Sequence, residues 1–272
     1  MRIYIGRHCH SKTQENIDHC HTYKDCDVPL SYLGDIQKNG MADNIKTLLL
    51  KLKHTGALIM ECSPFLRVKQ TAAPIQTALE NAGIKVITHE DPNLAEIDRG
   101  AFWTLSKPQR REKWPKEYPA HEEATKTHQG WYETPLFGGE SPKAVDERVQ
   151  KAIARMKSDK DQSDRLILTS DLPERFFLKN LLHRSLEWAH QEDRPNNGSL
   201  RLLEGPDWDH LQDKGYVLAG FESTEPRKHG VTLSGKPVFI NERKNPLRET
   251  WKNEPTENRQ GFRRDRNGDR SK

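Results

Sequence analysis

Directly after Arg2-Ile3-Tyr4-Ile5, the chain places Gly6, Arg7, His8, Cys9, His10 and Ser11. A guanidinium offers a rigid fork of donors that matches a carboxylate or a phosphate. The adjacent imidazole can serve as base, metal ligand or nucleophile near neutral pH. Alone, these residues fit an ordinary loop with two surface histidines equally well. Three later positions add to them. Arg67 follows Ser63-Pro64, where a helix start would favour anions. Glu96 sits between Leu94 and Ile97, where partial desolvation would raise its pKa and suit a general acid, although a plain surface glutamate explains this stretch as well. Asp171 follows an apolar run that ends at Ser170. A second group (Cys9, His10, His19, Cys20, His21 and Cys26) has the residue types of a zinc site without its spacing, so free thiols in a polar loop are expected and metal is not.

The elements that would position these groups alternate between short apolar runs and helical stripes. Arg2 to Ile5 reads as a strand with Ile3 and Ile5 on one face. Ile45, Leu48, Leu49 and Leu52 recur at helical spacing, and Ala57 to Met60 is a buried strand. Ala72, Ala73, Ile75 and Leu79 form the inner face of the helix after Pro64, and a strand is expected over residues 84–87. Ser141-Pro142 opens a further helix with Val145, Val149, Ala152, Ile153 and Met156 inward. Arg165 to Thr169 is another buried strand, and a helix with Phe176, Phe177, Leu178 and Leu181 follows it. Asn196-Asn197-Gly198-Ser199 turns into a strand from Leu200 to Leu203, and a last strand is expected over residues 216–219. A strand that delivers Arg-His to its C-terminal end is a common way to build a site in an open α/β sheet.

Composition sets the outer bounds. With 272 residues the chain suits one large domain with or without a cap. It is 33% hydrophobic and 31% charged, so part of it is expected to lie outside a core. Residues 241–272 hold ten of the 44 Lys/Arg and six of the 40 Asp/Glu, which leaves 34 of each in residues 1–240. The net charge of +4 therefore belongs to the tail. With Leu247, Trp251 and Phe262 as its large apolar residues, that tail is expected to be disordered. It could touch nucleic acid, but a solvated tail is the simpler expectation. Residues 108–137, rich in Pro, charge and aromatics, read as a cap-like insertion or as an excursion packed by its own rings. No stretch is apolar enough to span a membrane and no secretory h-region opens the chain, so a cytoplasmic protein is expected.

In order, the motifs are Arg7-His8; Asp27-x-Pro29-Leu30-Ser31-x-x-Gly34; Ser63-Pro64-x-x-Arg67-x-x-Gln70-Thr71-Ala72; Leu94-x-Glu96-Ile97-Asp98-x-Gly100; Gly138-Gly139-Glu140-Ser141; and a strand ending in Ser170 with Asn197-x-Ser199 beyond. This series resembles the histidine phosphatase superfamily, in the branch of cofactor-dependent phosphoglycerate mutases and fructose-2,6-bisphosphatase-like phosphatases, over residues 2–204. The resemblance implies a phosphoglycerate mutase-like α/β fold, a three-layer α/β/α sandwich with a mostly parallel central sheet. It also implies a small phosphorylated substrate, no cofactor and no metal. His8 would be the nucleophile and Glu96 the acid for the leaving group. Arg7 and Arg67 would clamp the phosphate, with Ser11 and Cys9 beside them in the substrate-binding set. The third catalytic position, usually the histidine of Ser-His-Gly, is Asp171. Cys9 stands where the family usually has glycine and would crowd the backbone near the phosphate.

An ionised Asp171 would repel a phosphate dianion. Two like charges about 4 Å apart cost roughly 4 kcal/mol at a surface-like dielectric, or about a thousandfold in rate. Protonation of Asp171, pairing with Arg7, Arg67 or His10, or the approach of Arg175 would relieve this. Four retained roles against one lost favour a phosphomonoester hydrolase working through phosphohistidine, more readily a phosphatase than a mutase. The alternative is a degenerate relative that binds a phosphorylated ligand or a protein partner.

Overall fold

The computed structural model describes residues 1–159, 163–218 and 220. The expected disordered tail at 241–272, and residue 219 of the last expected strand, lie outside the described residues. In chain order the elements are strand β1 (Arg2–Arg7), the one-turn helix α1 (Lys12–Glu15), α2 (Tyr32–Lys51), β2 (Ala57–Cys62), α3 (Leu66–Asn81) and β3 (Lys85–Glu90). Three short helices follow, α4 (Lys107–Lys113), α5 (Glu117–Ala124) and α6 (His128–Glu133). Then come α7 (Pro142–Ser158), β4 (Arg165–Thr169), α8 (Asp171–Leu181), α9 (Leu186–Gln191), β5 (Leu200–Glu204) and β6 (Gln212–Leu218).

The strands form one sheet in the order β3-β2-β4-β1-β5-β6. β1 to β4 are mutually parallel, whereas β5 pairs antiparallel with β1 and β6 antiparallel with β5. β5, which runs against both of its neighbours, is thus the exception in a mostly parallel sheet. The side-chain alternation of β1 divides the core. Tyr4 faces one side with Met41, Ile45 and Leu49 of α2 and Val68, Ile75 and Leu79 of α3. Ile3 and Ile5 face the other with Val145, Val149 and Ile153 of α7 and Phe176 and Phe177 of α8. Burial on both faces explains why β1, β2 and β4 are nearly continuous in apolar residues. The result is the expected three-layer sandwich. The third parallel strand runs later than expected, over Lys85–Glu90, because as an edge strand it is largely exposed and carries little apolar signal.

One polar knot interrupts the α7 face. Glu61 of β2 is fully buried and its carboxylate takes Arg165 Nη1 at 2.8 Å and Arg155 Nη2 at 2.7 Å. Arg155 also reaches Asp91 at 3.1 Å, and Arg165 reaches Asp159 at 3.0 Å. Removing one member of such a set leaves a buried opposite charge short of its partner. Glu61→Ala is therefore expected to lower stability by about 3–5 kcal/mol, read from urea unfolding midpoints.

Candidate active site

The parallel strands end on one side of the sheet, and the groups singled out from the sequence gather there. β1 ends at Arg7, and the Asn197-Gly198-Ser199 turn clips this end in place. Arg7 N–H donates to the Ser199 carbonyl at 3.2 Å, Gly198 N–H to the Arg7 carbonyl at 3.1 Å, and Asn197 Nδ2 to the His8 carbonyl at 3.0 Å. His8 is buried, and its Nδ1 donates to the Cys9 carbonyl at 2.7 Å. A carbonyl accepts only, so the proton sits on Nδ1 and Nε2 carries the lone pair. Burial, together with the Arg67 and Arg7 charges, holds the imidazole well below its usual pKa, so it is neutral at pH 7.

Arg67 lies in the first turn of α3, and its Nε–H donates to the His8 Nε2 lone pair at 3.3 Å, a contact that an entering phosphate would replace. Its Nη1 is held by Asp25, at 2.6 Å from the carbonyl and 2.9 Å from Oδ1. The residues around it in the motif have structural work. Gln70 accepts the Leu30 N–H at 2.8 Å. Thr71 accepts the Cys9 N–H at 3.1 Å while donating to the Arg67 carbonyl at 2.8 Å. Gly34 belongs to the same frame. Ser31 caps α2 by accepting the Gly34 N–H at 3.1 Å, and a Cβ on Gly34 would sit 2.0 Å from the His10 carbonyl.

Glu96 is buried on the loop after β3, and Oε1 accepts the Ile97 N–H at 2.9 Å. Arg148 of α7 anchors this loop by donating to the Glu96 carbonyl at 3.1 Å and the Asn93 carbonyl at 2.8 Å. Glu140 holds Arg148 through both carboxylate oxygens and accepts the Asp98 N–H at 2.9 Å. The Gly138-Gly139 pair lets the two segments touch, since a Cβ on Gly139 would lie 2.3 Å from the Asp98 carbonyl. The Gly-Gly-Glu-Ser motif thus positions the Glu96 loop and caps α7.

Arg7 extends beneath this arrangement. Its Nη1 donates to the Pro195 carbonyl at 2.6 Å, and its buried Nε has no hydrogen-bond partner among the described residues. Burial lowers the pKa of Arg7, against the carboxylates of Asp171, Glu96 and Glu174. Asp171 begins α8 and forms ion pairs with Arg175 Nε at 3.2 Å and Arg194 Nε at 3.1 Å. One turn on, Glu174 is fully buried and neither carboxylate oxygen has a hydrogen-bond partner among the described residues. Burial pushes its pKa up to about 8, against the pull of Arg201 and Arg7.

The family model described as histidine phosphatase superfamily (branch 1) matches residues 3–210. The chain belongs to this superfamily. The structures of its members give the same fold at low identity. A putative α-ribazole-5'-P phosphatase from Escherichia coli superposes with a TM-score of 0.61 at 18% identity, over 79% of this chain and 95% of that one. The α-ribazole phosphatase of Shigella flexneri gives 0.58 at 20%, over 78% and 95%. A mycobacterial glucosyl-3-phosphoglycerate phosphatase in complex with VO3 gives 0.57 at 19%, over 79% and 96%. No curated protein matches the sequence.

Within this superfamily member, several expectations need correction. Ser11 is buried, and its hydroxyl and backbone N–H are engaged with Gln14 in the cap of α1, so it does not face a substrate. The Cys9 side chain does not crowd the phosphate position. It points into the α2–α3 core, with Sγ 4.0 Å from Met41 Sδ, and the Cys9 carbonyl is what orients His8. Asp171 is not salt-bridged to Arg7, Arg67 or His10; Arg67 pairs with Asp25 and His10 bonds Ser31 at 2.8 Å. Arg175 does approach, as expected, and Arg194 joins it. The rings of residues 108–137 are largely committed to packing. Trp114, Tyr118 and Phe137 surround Phe102, and Trp131 lies against His190 and Phe176. Among the described residues, no group of three or more Cys, His, Asp or Glu is arranged to hold a metal, and no helix is long and apolar enough to cross a membrane.

Arg194, Arg148, Asp25 and Glu174 escaped the sequence reading. Glu140 had a signal in its motif, whereas Asp25 and Arg194 sit in irregular segments whose partners are distant in sequence.

Proposed function

We propose that this protein hydrolyses small phosphate monoesters through a phosphoryl group carried on His8 Nε2. The observation that carries this reading is the His8 tautomer. Nδ1–H is tied to the Cys9 carbonyl, which leaves a neutral Nε2 lone pair beside Arg67 Nε. Arg7 and Arg67 supply the charge that phosphoryl transfer demands of its surroundings. In the first step an Nε2–P bond forms as the P–O bond to the leaving group breaks. Protonated Glu96 gives its proton to the departing oxygen. In the second step water attacks phosphorus, Glu96 takes the water's proton, and inorganic phosphate leaves as Nε2 is regenerated. The names of the neighbours, phosphatases of α-ribazole phosphate and of glucosyl-3-phosphoglycerate, support a small phosphorylated substrate. Asp171 favours a second reading, a pocket that binds a phosphorylated ligand without turning it over.

The test uses two leaving groups with wild type and Glu96→Gln. p-Nitrophenolate departs as a stable anion, whereas an alkoxide must be protonated. Glu96→Gln is expected to lose about 10²–10⁴-fold in kcat on an alkyl phosphate and far less on p-nitrophenyl phosphate. Equal losses on both would remove Glu96 from the acid role. An inactive wild type that still binds inorganic phosphate would favour the second reading.

A further inference from the structure

The carboxylate of Asp171 is among the charges that act on Arg7, and an uncompensated negative charge there would oppose a phosphate. It is not uncompensated. Arg175, on its own helix, lies at 3.2 Å and Arg194, from the segment after α9, at 3.1 Å. One carboxylate between two guanidiniums leaves this corner with a net positive charge.

The two arginines differ in what they have left to offer. Arg175 is nearly buried, and its Nη1 donates to the Ala189 carbonyl at 3.1 Å. Arg194 uses Nε for Asp171, its side chain is 60% exposed, and among the described residues Asp171 is its ion-pair partner. Its two Nη groups can therefore turn to a ligand while Nε stays on the carboxylate. The backbone around it is fixed to the catalytic strand. The next residue, Pro195, accepts Arg7 Nη1 at 2.6 Å, and Asn197 to Ser199 are bonded to Arg7 and His8. Arg194 and Arg7 are also close enough for their charges to oppose one another. This is a cation held by an acid through Nε, with its two Nη groups left to offer.

We propose that Arg194 is a ligand of the bound phosphate and that Asp171 is the positioning residue that aims it. This rests on the phosphate pocket of the proposed function and adds a third guanidinium to Arg7 and Arg67. It turns Asp171 from a lost function into half of an acid–arginine unit.

The probes are inorganic phosphate, followed as a competitive inhibitor and by direct calorimetric titration, and p-nitrophenyl phosphate as substrate. Hydrogen bonds to charged groups imply that Arg194→Ala weakens phosphate binding and lowers kcat/KM by about 10- to 100-fold, with the fold retained by circular dichroism because Arg175 stays on Asp171. Arg194→Lys is expected to recover part of the loss. Asp171→Asn is expected to weaken phosphate binding when Arg194 is present and to have no further effect in Arg194→Ala, a non-additivity that a purely structural role would not give. Phosphate affinity and kcat/KM of Arg194→Ala within twofold of wild type would overturn the ligand role. Equal effects of Asp171→Asn in both backgrounds would overturn the positioning role. Failure of wild type to bind phosphate by calorimetry would remove this inference and the proposed function together, whereas failure confined to the variants leaves the proposed function standing.

Discussion

His8→Ala is expected to lower kcat on p-nitrophenyl phosphate by roughly 10⁴-fold or more, the scale on which loss of a covalent nucleophile acts, while inorganic phosphate still binds. The split follows from the division of labour in the pocket. In the proposed mechanism His8 supplies the lone pair, through a tautomer set by the Cys9 carbonyl. Charge neutralisation is assigned there to Arg7 and Arg67, and each has an anchor besides His8. Arg7 is held by the Pro195 carbonyl and Arg67 by Asp25. Truncating the imidazole therefore leaves the clamp in place. The measurement is steady-state turnover alongside calorimetric phosphate titration of the same preparations. Turnover within tenfold of wild type would place the nucleophile elsewhere, and loss of phosphate binding together with turnover would mean that His8 holds the clamp and does more than attack.

Glu174→Gln is expected to flatten the pH dependence of stability between about pH 4.5 and 8. The carboxyl is fully buried, neither oxygen has a hydrogen-bond partner among the described residues, and burial raises its pKa from 4.5 to about 8. Its folded form therefore keeps a proton that the unfolded chain has already released. Where the native state binds more protons than the unfolded state, stability falls as pH rises. The contribution is complete below pH 4.5 and is lost as pH climbs towards 8. Each pH unit between the folded and unfolded pKa is worth about 1.4 kcal/mol, so the whole window holds up to about 5 kcal/mol. Glutamine has the same shape and no charge to form. Wild type should thus lose stability relative to the variant across this window, and the variant should be the more stable of the two above pH 8. Parallel urea unfolding curves at pH 5 and pH 8.5 read this directly; an unchanged difference between the two proteins at both values would show that Glu174 does not titrate in that range. The same ionisation would add a negative charge near Arg7, whose pKa already reflects Glu174 among its neighbours.

The fold was readable where burial is symmetric. β1, β2 and β4 are covered on both faces, so their sequences are apolar runs with little room for another assignment. The edge strand β3 is exposed along most of its length, and it begins one residue and ends three residues later than the pattern implied. The positions of the proposed site residues were readable for a related reason. Arg7, His8, Arg67 and Glu96 lie close to the ends of strands or at the start of a helix, so the local pattern placed each near the pocket. Their supports were not readable. Asp25 meets Arg67, Arg148 meets the Glu96 carbonyl and Arg194 meets Asp171 across large sequence separations, from loops or from another helix face. Cys9 and Ser11 show the opposite error. Proximity in sequence to His8 suggested contact with the substrate, but one side chain turns into the core and the other closes a helix cap. Asp171 could be read only as a missing histidine until Arg175 and Arg194 were seen beside it.

The most direct test of the central claim is to trap the intermediate. Enzyme mixed with excess phosphate ester is quenched in alkaline denaturant within a fraction of a turnover, digested and mapped by mass spectrometry. The structure leads to a phosphoryl group on the peptide that carries His8, formed in a burst and decaying at the turnover rate. Hydrolysis that proceeds with no phosphoryl group on any peptide, or with one on a residue other than His8, would contradict it.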